Sequence, residues 1–382
     1  MKLVYVIGAR PNFVKMAPVI AELRRRVPDA DHVVVHTGQH FDAAMSQVFL
    51  EELGVGEPDH MLGVGPGSHA QQTARVMERI EPVLAAERPD LVLVPGDVNS
   101  TLAATLVAVK LGLPLGHIES GLRSFDRTMP EEINRIVADE FAEHLFLHCD
   151  EAVENLRSEG IASERMHFVG NTMIDTLVAM EPRFRAVDAT HRLGLRPGDY
   201  LLVTLHRPAL VDGPLLREAI GQLSGLAAHL PVVFPVHPRT RKMLDGDGVA
   251  TPAGLSLVDP LGYVEFLSLE ADAAAVLTDS GGLQEETTHL GVPCFTLRAN
   301  TERPVTVRMG TNTLLGLDPA RIADIPDLLD RAPAGERARP PLWDGRAAAR
   351  VADVLLDGRA EPGPAYALQA DTSDRAYSSQ PR

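Results

Sequence analysis

Short apolar, β-branched runs alternate with helix-length stretches along nearly the whole chain, and the series occurs twice. In the first half the runs are residues 3–7, 32–36, 91–94, 114–118 and 144–147, separated by stretches such as 13–26 and 70–87. In the second they are 200–205, 232–236, 255–258, 274–277 and 294–297. Strands alternating with helices predict parallel sheets wrapped on both faces. A chain of 382 residues exceeds what one hydrophobic core usually serves. The reading is therefore α/β, with two Rossmann-like doubly wound domains in tandem, hinged near residues 170–195.

The charge balance narrows the function. A net charge of −16 argues against sequence-independent nucleic-acid binding and against attraction to an anionic membrane, since both need a cationic face. Cys149 and Cys294, far apart, offer neither a disulfide framework nor a zinc pattern and fit a reducing, cytoplasmic setting. The first apolar run ends at Arg10-Pro11, too short for a signal segment or a membrane span. From Arg359 onward the chain is polar, without apolar period, and reads as a disordered tail.

Ligands in doubly wound sheets bind beyond the carboxyl ends of strands. Gly8-Ala-Arg10, Gly96-Asp97, Glu119, His206 and Ser280 all fall there. Thr278-Asp-Ser-Gly-Gly-Leu-Gln-Glu-Glu286 has the layout of an anion site: Gly281 and Gly282 let backbone approach a ligand, a helix start supplies N–H groups, and Ser280 adds a hydroxyl. The plain alternative is a strand–turn–helix junction with Ser280 as N-cap. Glu285 and Glu286 would repel a phosphate, so one of them suits a ribose diol.

Arg10 and Lys15 come after the first strand and are placed to approach a diphosphate, although neither a P-loop nor Gly-x-Gly-x-x-Gly is present. Asp97, Glu119 and Glu131 bring carboxylates to neighbouring strand and helix ends, with Pro130 suited to a first helical turn. Neighbouring carboxylates shift one another's proton affinity, which suits acid–base work. The structural alternatives are Asp97 capping the next helix and Glu131 and Glu132 complementing a helix dipole. His206-Arg207 closes a strand opposite Ser280, and Arg303 of Thr301-Glu-Arg-Pro304 can fork onto a phosphate while Glu302 fixes it. His237-Pro-Arg-Thr240 reads as a helix start.

These segments, with Thr37-Gly-Gln-His40, His117-Ile-Glu-Ser-Gly-Leu-Arg123, Pro130-Glu-Glu-Ile-Asn-Arg135 and Gly170-Asn-Thr-Met-Ile-Asp175, resemble the non-hydrolysing UDP-N-acetylglucosamine 2-epimerase family, from residue 1 to about 356. The resemblance implies the glycosyltransferase-B fold, two domains facing a cleft. It places an N-terminal domain at 1–170 and a UDP-binding domain at 171–358, a terminal helix near 345–356 packing back on the first, and the tail at 359–382. It implies a homodimer acting on a UDP-sugar with no metal, NAD or other cofactor. UDP is eliminated to give a 2-acetamidoglucal intermediate and re-added to give UDP-N-acetylmannosamine (UDP-ManNAc) from UDP-N-acetylglucosamine (UDP-GlcNAc). By the same resemblance Asp97, Glu119, Glu131 and His206 are catalytic. Arg10, Ser280, Gly281 and Arg303 match diphosphate contacts, with Gly282 beside them. Glu286 matches the ribose acid, Phe266 a residue near uracil, and Lys15 a further active-site lysine.

Two departures stand out. Many bacterial members have His-Arg-Arg-Glu where this chain has His206-Arg-Pro-Ala209, and the loop from Glu119 to Glu131 is shorter than in those relatives. With the segment after His40 also altered apart from Gln47, activation by a second UDP-GlcNAc is expected to be weak or absent. The alternatives kept open are an epimerase of a modified UDP-sugar, a hydrolysing epimerase, a glycosyltransferase of the same fold, and a non-catalytic sugar-nucleotide-binding regulator.

Overall fold

The computed structural model describes residues 1–39, 49–246, 254–331 and 339–357. The apolar runs become strands of two all-parallel sheets. The first has seven: β1 (Lys2–Ile7), β2 (Asp31–His36), β3 (His60–Met61), β4 (Leu91–Pro95), β5 (Leu115–Ile118), β6 (His144–Leu147) and β7 (Met166–Phe168), in spatial order β3-β2-β1-β4-β5-β6-β7. The second has six: β8 (Leu201–Thr204), β9 (Val232–Pro235), β10 (Leu255–Val258), β11 (Ala275–Thr278), β12 (Cys294–Thr296) and β13 (Asn312–Leu314), in order β10-β9-β8-β11-β12-β13.

Both sheets change direction of winding once, between β1 and β4 and between β8 and β11. The registers Leu3↔Leu91 and Ala275↔Leu201 align the carboxyl ends of each pair. A crevice opens where the winding reverses, because the connections leave to opposite sides. Gly8–Arg10 and Gly96-Asp97 border the first crevice; His206 and Ser280 border the second.

Strands β1 and β4 are buried along almost their whole length, as a sheet covered on both faces requires. After the second sheet the chain returns. Trp343, Ala348, Val351, Ala352 and Val354 join the same apolar cluster as Leu3, Val4 and Ile20, and helix Ala347–Asp357 packs on helix Arg10–Arg26. Two ties hold this return: the Trp343 indole donates to the His148 carbonyl at 2.8 Å, and Asp175 accepts from the N–H groups of Ala347 and Ala348 at 3.0 and 2.7 Å. No described helix is long and apolar enough to cross a membrane. The expected disordered tail and the segment from His40 to Gln47 lie outside the described residues.

Candidate active site

At the first crevice the turn after β1 is built by Asn12. Its Oδ1 accepts from the N–H groups of Gly8 and Ala9, and its Nδ2 donates to the Pro95 carbonyl at 3.2 Å, so one side chain joins the ends of β1 and β4. One turn further along helix Arg10–Arg26, Lys15 is buried with its ammonium on Glu119 Oε2. Glu119 comes directly after β5 with φ of +66°, a left-handed conformation costly for a non-glycine residue. Its other oxygen accepts from Arg303 Nη2 at 2.8 Å, across from the second sheet. Burial favours the neutral acid, but Lys15 and Arg303 together outweigh it and hold Glu119 below the ordinary carboxylate range. Gly96 allows this crowding. A Cβ there would lie 3.1 Å from Lys15 Nζ and 3.3 Å from Glu119 Oε2, and its φ is +61°.

Asp97 is half-buried and ion-paired with Arg135, which also bonds Glu132 Oε2 at 2.8 Å. Asn134 donates to the Asp97 carbonyl at 2.8 Å. The N-cap of the next helix is Val98, so Asp97 is not a helix cap. Glu132 is also no surface complement to a dipole: it is buried and accepts from the N–H groups of Ser124 and Phe125, fastening the loop between Glu119 and Glu131. Glu131, in the first turn of helix Pro130–Phe141, is half-buried and its charge acts on Arg207 of the second half.

At the second crevice Asp279 organises the end of β8. Its Oδ2 accepts from the N–H groups of His206 and Arg207 at 2.8 and 2.7 Å, and its Oδ1 stands 3.0 Å from His206 Nδ1. A carboxylate there places the imidazole proton on Nδ1 and leaves Nε2 of the exposed His206 for the cleft. These bonds overcome burial and keep Asp279 below its usual range. Ser280 occupies the N-cap of helix Gly281–Leu290 without a side-chain cap bond, so its hydroxyl and the helix N-terminus are not used up on each other.

Arg303 lies over this helix start. A Cβ on Gly281 would stand 2.4 Å from Arg303 Nη1, so only glycine admits the guanidinium. Three carboxylates surround that group: Glu119, Glu302 at 2.5 Å and Glu285 at 3.2 Å. Glu285 also lies 3.1 Å from His148, and the Arg303 charge together with this contact holds it down at about 2 against its burial. Glu286 faces elsewhere. It accepts from the Tyr263 hydroxyl at 2.8 Å, and burial pushes it up to about 7. A Cβ on Gly282 would lie 3.1 Å from the Met173 methyl, so the glycine gives room to helix Thr172–Val187. Phe266 is half-buried against the small apolar cluster around Tyr200, and the Arg10 guanidinium sits 4.8 Å over the Phe49 ring.

Lys15, Glu119, Ser280, Gly281 and Arg303 thus converge. Asp97 borders the group, and His206 and Glu131 lie at its edge. Glu286 pairs with Tyr263 away from this group, and Phe266 packs in the cluster around Tyr200. Sequence reasoning passes over Asp279, Arg135, Tyr263 and His148 as functional residues, and it offers Glu285 only as an alternative to Glu286 for a ribose diol, whereas the structure pairs it with Arg303. Asp279 and Arg135 sit inside recognisable motifs, yet only the fold shows that one fixes the imidazole and the other Asp97.

Residues 21–356 match the family described as UDP-N-acetylglucosamine 2-epimerase. The chain is 38% identical over 366 residues to a UDP-N-acetylglucosamine 2-epimerase of Methanococcus maripaludis, covering 93% of this chain and 98% of that one. It is 42% identical over 323 residues to UDP-2,3-diacetamido-2,3-dideoxy-D-glucuronate 2-epimerase of Pseudomonas aeruginosa, covering 83% and 88%. The fold matches the crystal structure of Methanocaldococcus jannaschii UDP-GlcNAc 2-epimerase in complex with UDP-GlcNAc and UDP. There the TM-score is 0.84 at 36% identity, with 93% of this chain and 99% of that one covered.

Proposed function

The chain belongs to the UDP-N-acetylglucosamine 2-epimerase family, and from that premise we propose that it interconverts UDP-GlcNAc and UDP-ManNAc without releasing free sugar. The carrying observation is the meeting of the two crevices at Glu119 and Arg303, which sets carboxylates against an anion grip. C2–H of the sugar is a weak acid. Its proton is lost to a carboxylate of the set Asp97, Glu119 and Glu131 while its electron pair forms the C1–C2 double bond and the C1–O pair leaves with UDP. The charge that gathers on UDP meets Arg303, the helix start at Ser280-Gly281, and His206. Return of a proton to the opposite face of C2, with UDP re-adding at C1, completes the inversion. Ionised Glu286, steered by Tyr263, takes the ribose diol, Phe266 lies beside the uracil, and Arg10 reaches the diphosphate.

We assign residues 1–170 and 171–358 to the two domains and place the enzyme in the cytoplasm as a homodimer. Both cysteines are free and buried, which supports a reducing setting. Its rate curve with UDP-GlcNAc is hyperbolic on this reading, because the sequence around His206 departs from the pattern of regulated relatives. A second substrate reading rests on one observation: the relative with the higher identity of the two acts, by its name, on a diacetamido uronate. Chromatography of UDP-sugars after incubation with each nucleotide sugar alone tests both. Conversion of UDP-GlcNAc to a mixture with UDP-ManNAc supports the first. Inert UDP-GlcNAc with a converted diacetamido uronate supports the second, and free ManNAc with UDP contradicts both.

A further inference from the structure

We propose that Glu119 takes the C2 proton, and that the nucleotide sugar itself makes this carboxylate basic by drawing on the positive charge of Arg303. The inference rests on the epimerase reading above and adds to it the identity of the base and the event that switches it on.

One guanidinium meets a carboxylate on each of its three edges. Nη2 donates to Glu119 at 2.8 Å, Nη1 to Glu302 at 2.5 Å, and Nε lies 3.2 Å from Glu285. The same group stands over Gly281, at the start of a ten-residue helix whose first N–H groups have no side-chain cap. An anion seated on that helix start therefore reaches Arg303 directly, and through it Glu119. The atom nearest Gly281 is Nη1, which Glu302 also holds, so an anion there shares Nη1 with Glu302 and draws the guanidinium charge away from Glu119 while the Nη2 bond persists.

The groups that act on Glu119 are Lys15 from helix Arg10–Arg26, Arg303, Glu285 from helix Gly281–Leu290, and His148 after β6. Before substrate arrives the two cations win, and Glu119 is a poor base. A phosphate charge one guanidinium away, roughly 6 Å at an effective dielectric of about 20, raises a carboxylate's proton affinity by on the order of two pH units. Asp97 is paired with Arg135, bonded to Glu132, and meets Arg303 only through a longer-range charge interaction, so an anion on the helix start acts first on Glu119, which Arg303 touches directly. As the C2–H pair becomes the double bond and UDP leaves C1, the added phosphate charge occupies Arg303 further and Glu119 keeps the proton. Re-addition of UDP at C1, with a proton delivered to the opposite face of C2 by a group on that side, completes the inversion, and Glu119 then returns its proton to solvent.

The test is proton linkage, measured by titration calorimetry of the full chain with an equilibrated UDP-GlcNAc and UDP-ManNAc mixture. Two buffers of different ionisation enthalpy are used at each point of a series from about pH 4 to about pH 6, because Glu119 starts below the ordinary carboxylate value and rises by about two units. Wild type should take up several tenths of a proton more than Glu119→Gln on binding. The difference is the readout, since Glu286 releases its own proton in both. Equal uptake in the two proteins, with binding intact, overturns the proposal. Absence of any binding heat in wild type overturns the epimerase reading first and this inference with it.

Discussion

The two crevices are built alike and equipped differently. Each lies where a parallel sheet reverses its winding and each leads into a helix, but Asn12 bonds the turn at the first while the helix start at Ser280 has no side-chain cap. The first carries Asp97, Glu119 and Glu131 and pairs the first two with buried cations from its own half, Arg135 and Lys15. The second carries the cation Arg303 and tempers it with Glu285 and Glu302. In the proposed reaction, acids on one side and a cation held in place on the other divide the work, and Glu119–Arg303 is where the halves touch. One topology therefore yields either a proton-handling rim or an anion-binding rim, according to the side chains set at its strand ends.

The contrast breaks most visibly if the acids are removed. Asp97→Asn should lower kcat by about 10²–10⁴-fold, the usual weight of one acid–base group, while UDP affinity measured by calorimetry stays within a few-fold. Comparable loss of both would show that the rims are not separate. The converse change is Gly281→Ala. Its methyl meets Arg303 at 2.4 Å, which displaces the guanidinium, and UDP affinity should fall by about 10–100-fold for the loss of one charged hydrogen-bonding group.

A gentler probe is pH. Glu286, pushed up to about 7, must be ionised to accept the diol, so KM should rise as pH falls through that value, approaching tenfold per unit. The unliganded protein behaves oppositely. A folded proton affinity above the unfolded one contributes stability that is present below about 4.5 and is lost as pH rises through about 7. Thermal melts with and without UDP should therefore diverge as pH rises. Glu286→Gln should flatten both trends. The smallest effect concerns the return helix. Asp175→Ala leaves the N–H groups of Ala347 and Ala348 without their acceptor and should cost about 1 kcal/mol, read as a lower denaturant midpoint with the active site unchanged.

Much of this architecture is legible in the chain itself. Ten strands announce themselves because a fully covered parallel strand must be apolar throughout. The three that escape, His60–Met61, Met166–Phe168 and Asn312–Leu314, are two or three residues long and lie at sheet edges, where neither length nor period gives a signal. The site is legible to the extent that its chemistry sits directly after strands, as Glu119 and Ser280 do. Lys15 reads from sequence as a lysine placed to approach a diphosphate, and its pairing with Glu119 exists only once the end of another strand is brought beside it. Glu285 and Glu286 are neighbours in sequence, yet a helix turns them by about 100° and gives them different partners. Asp279 is invisible for the same reason: its role exists only once β8 and β11 are paired.

The most direct measurement of the central claim is proton NMR of the purified protein with UDP-GlcNAc in deuterium oxide. Inversion by carboxylates that exchange with solvent, while the opposite rim keeps UDP, predicts UDP-ManNAc carrying deuterium at C2 and no free sugar. UDP-ManNAc that retains its original C2 hydrogen, or UDP with free ManNAc, would contradict it.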